Sequence, residues 1–338
     1  MPQDAQPPRR ARAQGITIGQ HTPGPLNAIT DVEGVAVGHV TLIEGDRTRT
    51  GVTAILPHGG NLFARKVPAG LAVLNGFGKF TGATQIDELN QIETPILLTN
   101  TLATGRAIEA LIAHTLAHPD NGNVVSINPV VGETNDSRLN DIRAPRPTVA
   151  EMRRALETAR GGVVDEGAVG AGTGTVAFGM KGGIGTASRV VDGVTLGVLV
   201  QSNFGGSLRI DGRPLNHALP PADADGSIVI ILATDAPLDG RSLERLAQRC
   251  FGGLARTGAA LSHGSGDYAL AFSTCLAPSA PLRNGALSPL FEAAIEATEE
   301  AILNSMLMAV PMEGFDAASQ KASHIPALRL PVSSEQEP

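Results

Sequence analysis

Short runs of apolar residues alternate along this chain with polar and glycine-rich segments. The clearest run covers residues 228–232, where four β-branched residues precede Leu232. An uninterrupted run of this length predicts a strand covered on both faces. The preceding residues 220–225 include two Pro and two Asp, a composition unsuited to a strand interior. Ser227 is therefore predicted to be the first residue of a central strand, directly after Gly226.

Other segments of the chain predict further strands by alternation or by short apolar runs. They cover residues 16–19, an edge strand, and then 35–42, 51–56, 95–100, 124–127, 173–178, 194–200 and 268–272. Residues 70–82 contain four glycines around Asn75 and predict a surface loop or a loop of a functional site.

Apolar residues at helical spacing predict four longer helices. The first is capped by Thr101 or Thr104 and runs to residue 116, and the second opens with the capping box of Thr148 and Glu151. The third begins at Asp239 and carries one apolar stripe. The fourth covers residues 288–308, and its predicted polar side consists of Glu292, Glu296, Glu299 and Glu300.

These elements predict an α/β fold of the αββα type, a four-layer sandwich. The strands outnumber those of a single doubly wound sheet, and the long helices fall late in each half, which favours two stacked sheets with helices outside. Residues 1–15, with Arg9, Arg10 and Arg12, are predicted to be a disordered leader. Residues 16–332 are predicted to form one domain, and residues 333–338 a polar tail.

The composition narrows the class of protein. With 42% hydrophobic residues, one Tyr and no Trp, the 338-residue chain must pack mainly through Ala, Val, Ile and Leu. A formal net charge of -7 argues against nucleic-acid binding. No apolar segment follows the early arginines, so we expect no secretory signal, and no apolar run is long enough for a membrane span. Two cysteines are too few for a disulfide framework, so we expect a reduced, cytoplasmic setting.

The Gly226-Ser227 dipeptide can support a chemical step. A glycine permits backbone geometries in which the serine hydroxyl reaches the preceding carbonyl and converts the amide to an ester. Hydrolysis would expose the Ser227 amine, whose ordinary pKa of about 7.7–8.0 suits a general base. The same dipeptide occurs at Gly206-Ser207 and Gly264-Ser265, so the dipeptide alone favours a plain loop that ends at a strand.

A second candidate is Ser265-Gly266-Asp267, which places Ser265 and Asp267 on one face of an extended segment. A hydroxyl backed by a carboxylate is suited to supporting an N-terminal serine, although a structural turn has the same sequence. His114 and His118 are spaced as metal ligands but lack a third ligand nearby, so we expect no metal and no cofactor.

Several short motifs together resemble the DmpA-type L-aminopeptidase/D-amidase/esterase family, which includes β-peptidyl aminopeptidases and nylon-oligomer hydrolases. They occur in order between about residues 20 and 310: Val37-Gly38-His39, Val131-Gly132-Glu133-Thr134-Asn135-Asp136, Val200-Gln201-Ser202-Asn203-Phe204-Gly205, Asp225-Gly226-Ser227-Ile228 and Gly264-Ser265-Gly266-Asp267. The resemblance implies an N-terminal-nucleophile fold of the DmpA/ornithine-acetyltransferase type. It also implies cleavage into residues 1–226 and 227–338.

The resemblance assigns a role to each matched residue. Ser227 matches the nucleophile freed by self-cleavage, and Ser265 and Asp267 match the pair that supports it. Asn203 matches the donor to the oxyanion, and Lys181 matches a functional lysine of the nylon-hydrolase branch. Glu133, with Asn135 in the same motif, matches the carboxylate that binds the substrate's amine.

Two departures affect what the resemblance implies. Some aminopeptidases of the family add a tyrosine to the oxyanion site, whereas the only tyrosine here is Tyr268, beside Asp267. The nylon branch has a threonine nucleophile and an Asp-x-Asp pair, so Ser227 and Ser265-Gly266-Asp267 favour the aminopeptidase branch.

The expected function is hydrolysis of N-terminal residues from short peptides, amino-acid amides and esters through an acyl-enzyme. The alternatives are an amidase or acyl-transferring hydrolase of unusual linear amides, and an unprocessed binding protein of the same fold. The resemblance and the low content of charged residues, 17%, imply a homo-oligomer, a tetramer of processed pairs.

Overall fold

A computed structural model describes residues 7–215, 226–276 and 282–330 of the chain. The strands in these ranges are β1 (Ala36–Glu44), β2 (Thr48–Leu56), β3 (Val67–Gly76), β4 (Gln91–Ile92), β5 (Ile96–Asn100), β6 (Val130–Thr134), β7 (Val176–Ala177), β8 (Met180–Lys181), β9 (Gly183–Val191), β10 (Val194–Asn203), β11 (Arg209–Ile210), β12 (Arg213–Pro214), β13 (Ser227–Thr234), β14 (Gly266–Ser273), β15 (Met312–Asp316) and β16 (Lys321–Ile325). The α-helices are α1 (Ala83–Leu89), α2 (Thr104–Leu116), α3 (Val149–Glu157), α4 (Gly240–Arg256) and α5 (Ser288–Leu307).

Two sheets form the centre of the molecule. The smaller sheet has the order β1-β2-β5-β6, and the larger has the order β4-β3-β14-β13-β10-β9. Apolar side chains such as Ile55, Leu98, Val229 and Leu270 form a core between the sheets. Helices α2 and α3 pack on the outer face of the smaller sheet, and α4 and α5 on that of the larger. The predicted αββα sandwich is confirmed.

Strand β13 lies inside the larger sheet, between β10 and β14. It pairs antiparallel with β10 and parallel with β14, and every residue after Ser227 is buried. The register places Ser227 opposite Asn203 on one side and Gly266 on the other. Three segments of the predicted site therefore lie together where β10 ends and where β13 and β14 begin.

Local capping signals predicted the helix starts well. Thr148 Oγ1 accepts a hydrogen bond from the Glu151 N–H at 3.3 Å, and the Glu151 carboxylate accepts one from the Thr148 N–H at 2.7 Å. Asp239 likewise caps α4 by accepting from the Ser242 N–H at 2.8 Å. The cap ahead of α2 was predicted wrongly. Helix α2 begins at Thr104 without a side-chain cap, and Asn100 caps the short 3-10 turn before it by accepting from the Leu102 N–H.

Several predicted strands and loops are wrong or shifted. Residues 16–19 and 124–127 form no strand, and only Val176–Ala177 of the segment 173–178 does. Conversely, much of the predicted loop 70–82 belongs to β3. A Cβ at Gly70 would lie 2.2 Å from the backbone nitrogen of Glu244, so this glycine lets α4 pack closely against β3.

The predicted disordered leader is wrong from residue 7 onward. Ala11 is fully buried, and its N–H donates to Asn304 on α5 at 2.9 Å. Arg10 pairs with Glu166 at 2.8 Å and Arg12 with Glu300 at 2.9 Å. The arginines that suggested a solvated tail are thus counter-ions of buried acids. Residues 1–6 and the predicted polar tail 333–338 lie outside the described residues.

The predicted polar side of α5 is also wrong, except at exposed Glu292. Glu296, Glu299 and Glu300 are buried because basic side chains from other segments reach them. Fully buried Arg189 donates to Glu296 at 3.1 Å and to Glu300 at 2.8 Å. In the described ranges, none of the helices combines the length and the hydropathy that crossing a membrane requires.

Candidate active site

A cavity of about 520 Å³ opens at the edge of the larger sheet where β13 begins. Its volume is typical of sites for small molecules. Three charged residues and several backbone segments line it. The lining residues are Gly76, Phe77, Gly78, Lys79, Thr101, Glu133, Asn135, Ser137, Arg138, Asn203, Gly226, Ser227 and Gly264.

The Gly226 carbonyl oxygen and the Ser227 hydroxyl both lie within hydrogen-bonding distance of one backbone N–H. The N–H of Gly266 lies 3.2 Å from the Gly226 carbonyl oxygen and 3.2 Å from Ser227 Oγ. A Cβ on residue 226 would lie 2.3 Å from the Asn203 carbonyl oxygen, so only glycine fits against β10 here. The Gly226 carbonyl and the Ser227 hydroxyl are thus held at one donor in the cavity wall.

Ser265 and Asp267 lie together behind this donor, as predicted. Ser265 Oγ donates to the Asp267 carboxylate at 2.6 Å, and both side chains are buried. Asn75 Nδ2 donates to Ser265 Oγ at 3.2 Å and to the Ser262 carbonyl at 2.6 Å. Burial raises the pKa of the Asp267 carboxyl, and the hydrogen bond from Ser265 opposes that rise.

Asn203, the last residue of β10, has its amide oriented by the backbone. Its Oδ1 accepts a hydrogen bond from the Val176 N–H at 3.0 Å. This contact identifies the oxygen end of the amide and leaves Nδ2 as the donor. Asn203 lines the cavity and is the register partner of Ser227.

Lys181 does not line the cavity, in contrast to Asn203 and Ser227. It is fully buried, and Nζ donates to the carbonyl oxygens of Gly172, Thr175 and Gly182 at 2.8, 2.9 and 2.9 Å. Burial lowers the pKa of Lys181 to about 7, and the charge of Asp136 opposes this change. The Thr175–Val176 peptide links the two residues: its carbonyl accepts from Lys181, and its N–H donates to Asn203.

Glu133 is the last but one residue of β6, and it lines the cavity. One oxygen accepts from the Lys79 N–H at 2.9 Å, and the other accepts from the Thr101 hydroxyl. Lys79 Nζ lies 3.6 Å from the carboxylate. Asn135 also lines the cavity, and its Oδ1 accepts from the Ser137 N–H at 2.9 Å.

Four contributors to this site were not assigned a role from the sequence. They are Asn75, Lys79, Thr101 and the N–H of Gly266. Asn75 had one signal, its position within a glycine-rich segment that was predicted to be a surface or site loop. Thr101 was interpreted as a helix cap, and nothing local distinguishes Lys79 from a surface lysine.

The αββα sandwich, with a serine at the start of its central strand and a carboxylate in the adjoining cavity, defines a hydrolase of the Ntn class. Residues 27–320 match peptidase family S58. The chain belongs to this family.

Similar proteins support the same family membership. The chain is 40% identical to the β-peptidyl aminopeptidase BapA of Sphingosinicella xenopeptidilytica, over 90% of this chain and 86% of the relative. The PH0078 protein of Pyrococcus horikoshii OT3 is 47% identical, with a TM-score of 0.88 over 95% of this chain and 96% of its own. The L-aminopeptidase D-Ala-esterase/amidase of Ochrobactrum anthropi is 37% identical, with a TM-score of 0.85 over 94% and 95%. The protein is a peptidase with aminopeptidase/amidase function.

Proposed function

We propose that this aminopeptidase activates itself by cleaving the bond between Gly226 and Ser227. The Ser227 hydroxyl oxygen adds to the Gly226 carbonyl carbon, the C–N bond breaks, and the hydroxyl proton passes to the released amine. Water then hydrolyses the ester, which leaves a Gly226 carboxylate and a free Ser227 hydroxyl. The observation that carries this proposal is the single Gly266 N–H, 3.2 Å from both the Gly226 carbonyl oxygen and Ser227 Oγ.

In each later turnover, the new amine of Ser227 is the general base for its own hydroxyl. Oγ attacks the substrate carbonyl, and the proton passes through the amine to the leaving amine. Water then hydrolyses the acyl-enzyme ester with the same amine as base. Asn203 Nδ2 stabilises the developing oxyanion, a role worth about 3–4 kcal/mol where such a donor was removed elsewhere. Ser265 and Asp267 orient the amine and stabilise its protonated form.

Glu133 binds the free amine of the substrate, and Asn135 lines the same side of the cavity. A buried carboxylate pairs with an ammonium group and leaves an acylated nitrogen unpaired, so it selects free N-termini. The likeness to a β-peptidyl aminopeptidase extends the proposal from α-amines to the β-amines of short peptides. Hydrolysis of amino-acid amides and esters follows from the same acyl-enzyme.

Lys181 is a positioning residue in this proposal. Its ammonium group holds the Thr175 carbonyl, so the Val176 N–H of the same peptide is fixed and polarised toward Asn203. Lys181 thereby orients the oxyanion donor without contacting the substrate.

The assembled enzyme is proposed to be a homo-oligomer of processed pairs, and a cytoplasmic location fits its cysteines. Cys250 is a buried free thiol in the α4 core, and Cys275 is also unpaired. Free thiols are typical of a reducing compartment.

Mass spectrometry of the purified protein tests the proposal. We expect a C-terminal fragment that begins at Ser227, and two bands on a denaturing gel whose masses sum to 34.7 kDa. Ser227→Ala should remain one chain. Ser207→Ala is the matched control, because exposed Ser207 also follows a glycine, and this variant should be processed normally. Cleavage of Ser227→Ala at the same bond would refute the mechanism.

A further inference from the structure

The charges in the cavity wall are unbalanced. Among the described residues that line the cavity, Glu133 is the only acid, whereas Lys79 and Arg138 are both basic. Lys79 already contacts Glu133, at 3.6 Å, but its side chain is about half exposed, 52%. A contact this long and this exposed contributes little energy and is easily displaced.

Arg138 lies in the wall without a partner among the described residues. Within the described part of the chain, its guanidinium group makes no hydrogen bond or ion pair. Asp141, three residues further on, is not available as a counter-ion because Arg47 binds its carboxylate at 2.8 Å. Arg138 therefore presents an uncompensated charge to whatever occupies the cavity.

The backbone on both sides of Arg138 is anchored. Asp136 is buried and accepts a hydrogen bond from Asn140 Nδ2 at 3.0 Å, and Leu139 is fully buried. The Leu139 N–H donates to the Asp136 carbonyl, and the Leu139 carbonyl accepts from the Phe315 N–H at 2.9 Å. Arg138 thus projects from a rigid turn that follows the Glu133 strand, and not from a loose surface loop.

We propose that Arg138 binds a carboxylate of the substrate, so that the enzyme prefers short peptides with a free C-terminus to the corresponding amides. This inference rests on the proposed function, because it requires the substrate ammonium to bind Glu133. When that ammonium displaces Lys79, neither basic side chain of the wall has a counter-ion among the described residues. A short peptide supplies it, since the same molecule carries an ammonium and a carboxylate, and an Arg–carboxylate pair is among the strongest charge-assisted contacts.

The experiment compares kcat/KM for the dipeptide Ala-Ala and for Ala-Ala amide with the processed enzyme. We expect the wild type to favour the acid. Arg138→Gln should lower kcat/KM for the acid by about ten- to a hundredfold, mainly by raising KM. For the amide, kcat/KM should stay within about threefold of the wild-type value. Arg138→Lys should recover part of the loss, because it restores the charge without the planar fork.

Arg143→Gln is the matched control, since Arg143 is exposed and does not line the cavity but carries the same charge. This variant should leave kcat/KM unchanged for both substrates. Equal losses for acid and amide in Arg138→Gln would overturn the inference and indicate that Arg138 pairs with the Gly226 carboxylate formed by self-cleavage. No loss for either substrate would overturn it as well. A wild-type chain that hydrolyses neither substrate would instead refute the proposed function.

Discussion

Asp267 costs stability when its buried carboxyl is ionised, and its proposed role in catalysis requires that charge. Its carboxyl is buried, and burial raises its pKa because a charge is less stable away from water. The folded pKa is above the unfolded one, so ionisation of Asp267 lowers the free energy of unfolding. The protein has its full stability below the unfolded pKa and loses part of it as pH rises through the folded pKa. A buried carboxylate retained under these conditions is typical of a functional site.

Replacement of Asp267 by Asn separates the two effects. Asn keeps an oxygen that accepts from Ser265 Oγ, so the melting temperature should stay close to that of the wild type at pH 7. The loss of a charge-assisted hydrogen bond costs about 1.5–3 kcal/mol, and kcat/KM should therefore fall roughly ten- to a hundredfold. Kinetics on an aminoacyl p-nitroanilide measure kcat/KM, and thermal melting of the same sample measures the melting temperature.

The pH dependence gives a second readout for this variant. The wild type should lose stability relative to Asp267→Asn as pH rises through the raised pKa of Asp267, because only the wild type acquires the buried charge. Unchanged activity in Asp267→Asn would identify Ser265-Gly266-Asp267 as an ordinary turn. A drop in melting temperature with a proportionate drop in activity would make its role structural.

At the level of elements, the end of β10 depends on the small β7–β8 hairpin beside it. Asn203 is held by the Val176 N–H of β7, and the Thr175 carbonyl before β7 is held by Lys181 of β8. Both strands contain only two residues, so their hydrogen bonds alone do not make them rigid. The buried ammonium group that binds three carbonyls supplies this rigidity.

A double-mutant cycle tests whether Lys181 acts through Asn203. Lys181→Met should lower kcat more than it raises KM, by about tenfold or more, since one misoriented oxyanion donor costs a large part of 3–4 kcal/mol. In the Asn203→Ala background the same change should have little further effect, because the donor that Lys181 orients is absent. Rates are normalised to the processed fraction on a denaturing gel.

The melting temperature of Lys181→Met should fall in both backgrounds, because three carbonyl oxygens lose their donor. This loss is the structural contribution, and it does not depend on Asn203. If Lys181→Met reduced kcat by the same factor with and without Asn203, Lys181 would support the fold alone.

Across the whole molecule, the proposed cleavage would divide the larger sheet between two chains. Strands β3, β4, β9 and β10 belong to residues 1–226, whereas β13 and β14 belong to residues 227–338. The order β4-β3-β14-β13-β10-β9 inserts the two strands of the second chain between strands of the first. Helices α4 and α5 of the second chain then cover the sheet.

The two fragments should therefore remain associated after cleavage. Separation would break two strand ladders and expose the apolar core on both faces of β13, which is unfavourable in water. Size-exclusion chromatography in native buffer should give one peak that contains both fragments in equal amounts. Strong denaturant should separate them, and fragments that separate in native buffer would contradict this arrangement.

The amino-acid sequence was sufficient for features that depend on neighbouring residues. The run 228–232 identified the central strand, and the pair Thr148 and Glu151 identified a helix start. The proposed roles of Ser227, Asn203 and Glu133 came instead from the resemblance of the motifs to a known family. A strand run and a capping box each depend on residues within a few positions of one another, so the local sequence encodes them. The fold class followed from the number and order of such elements.

The folded chain was needed wherever a residue's environment comes from a distant segment. Glu300 was predicted to face solvent, yet Arg12 and Arg189 reach it from nearly 300 and more than 100 positions away in the sequence. Only the folded chain shows the Lys181 ammonium bound to three carbonyls, and only the folded chain places Arg138 in the cavity wall without a counter-ion among the described residues. Charge pairing and burial depend on distances in space, which a linear pattern of residues does not specify.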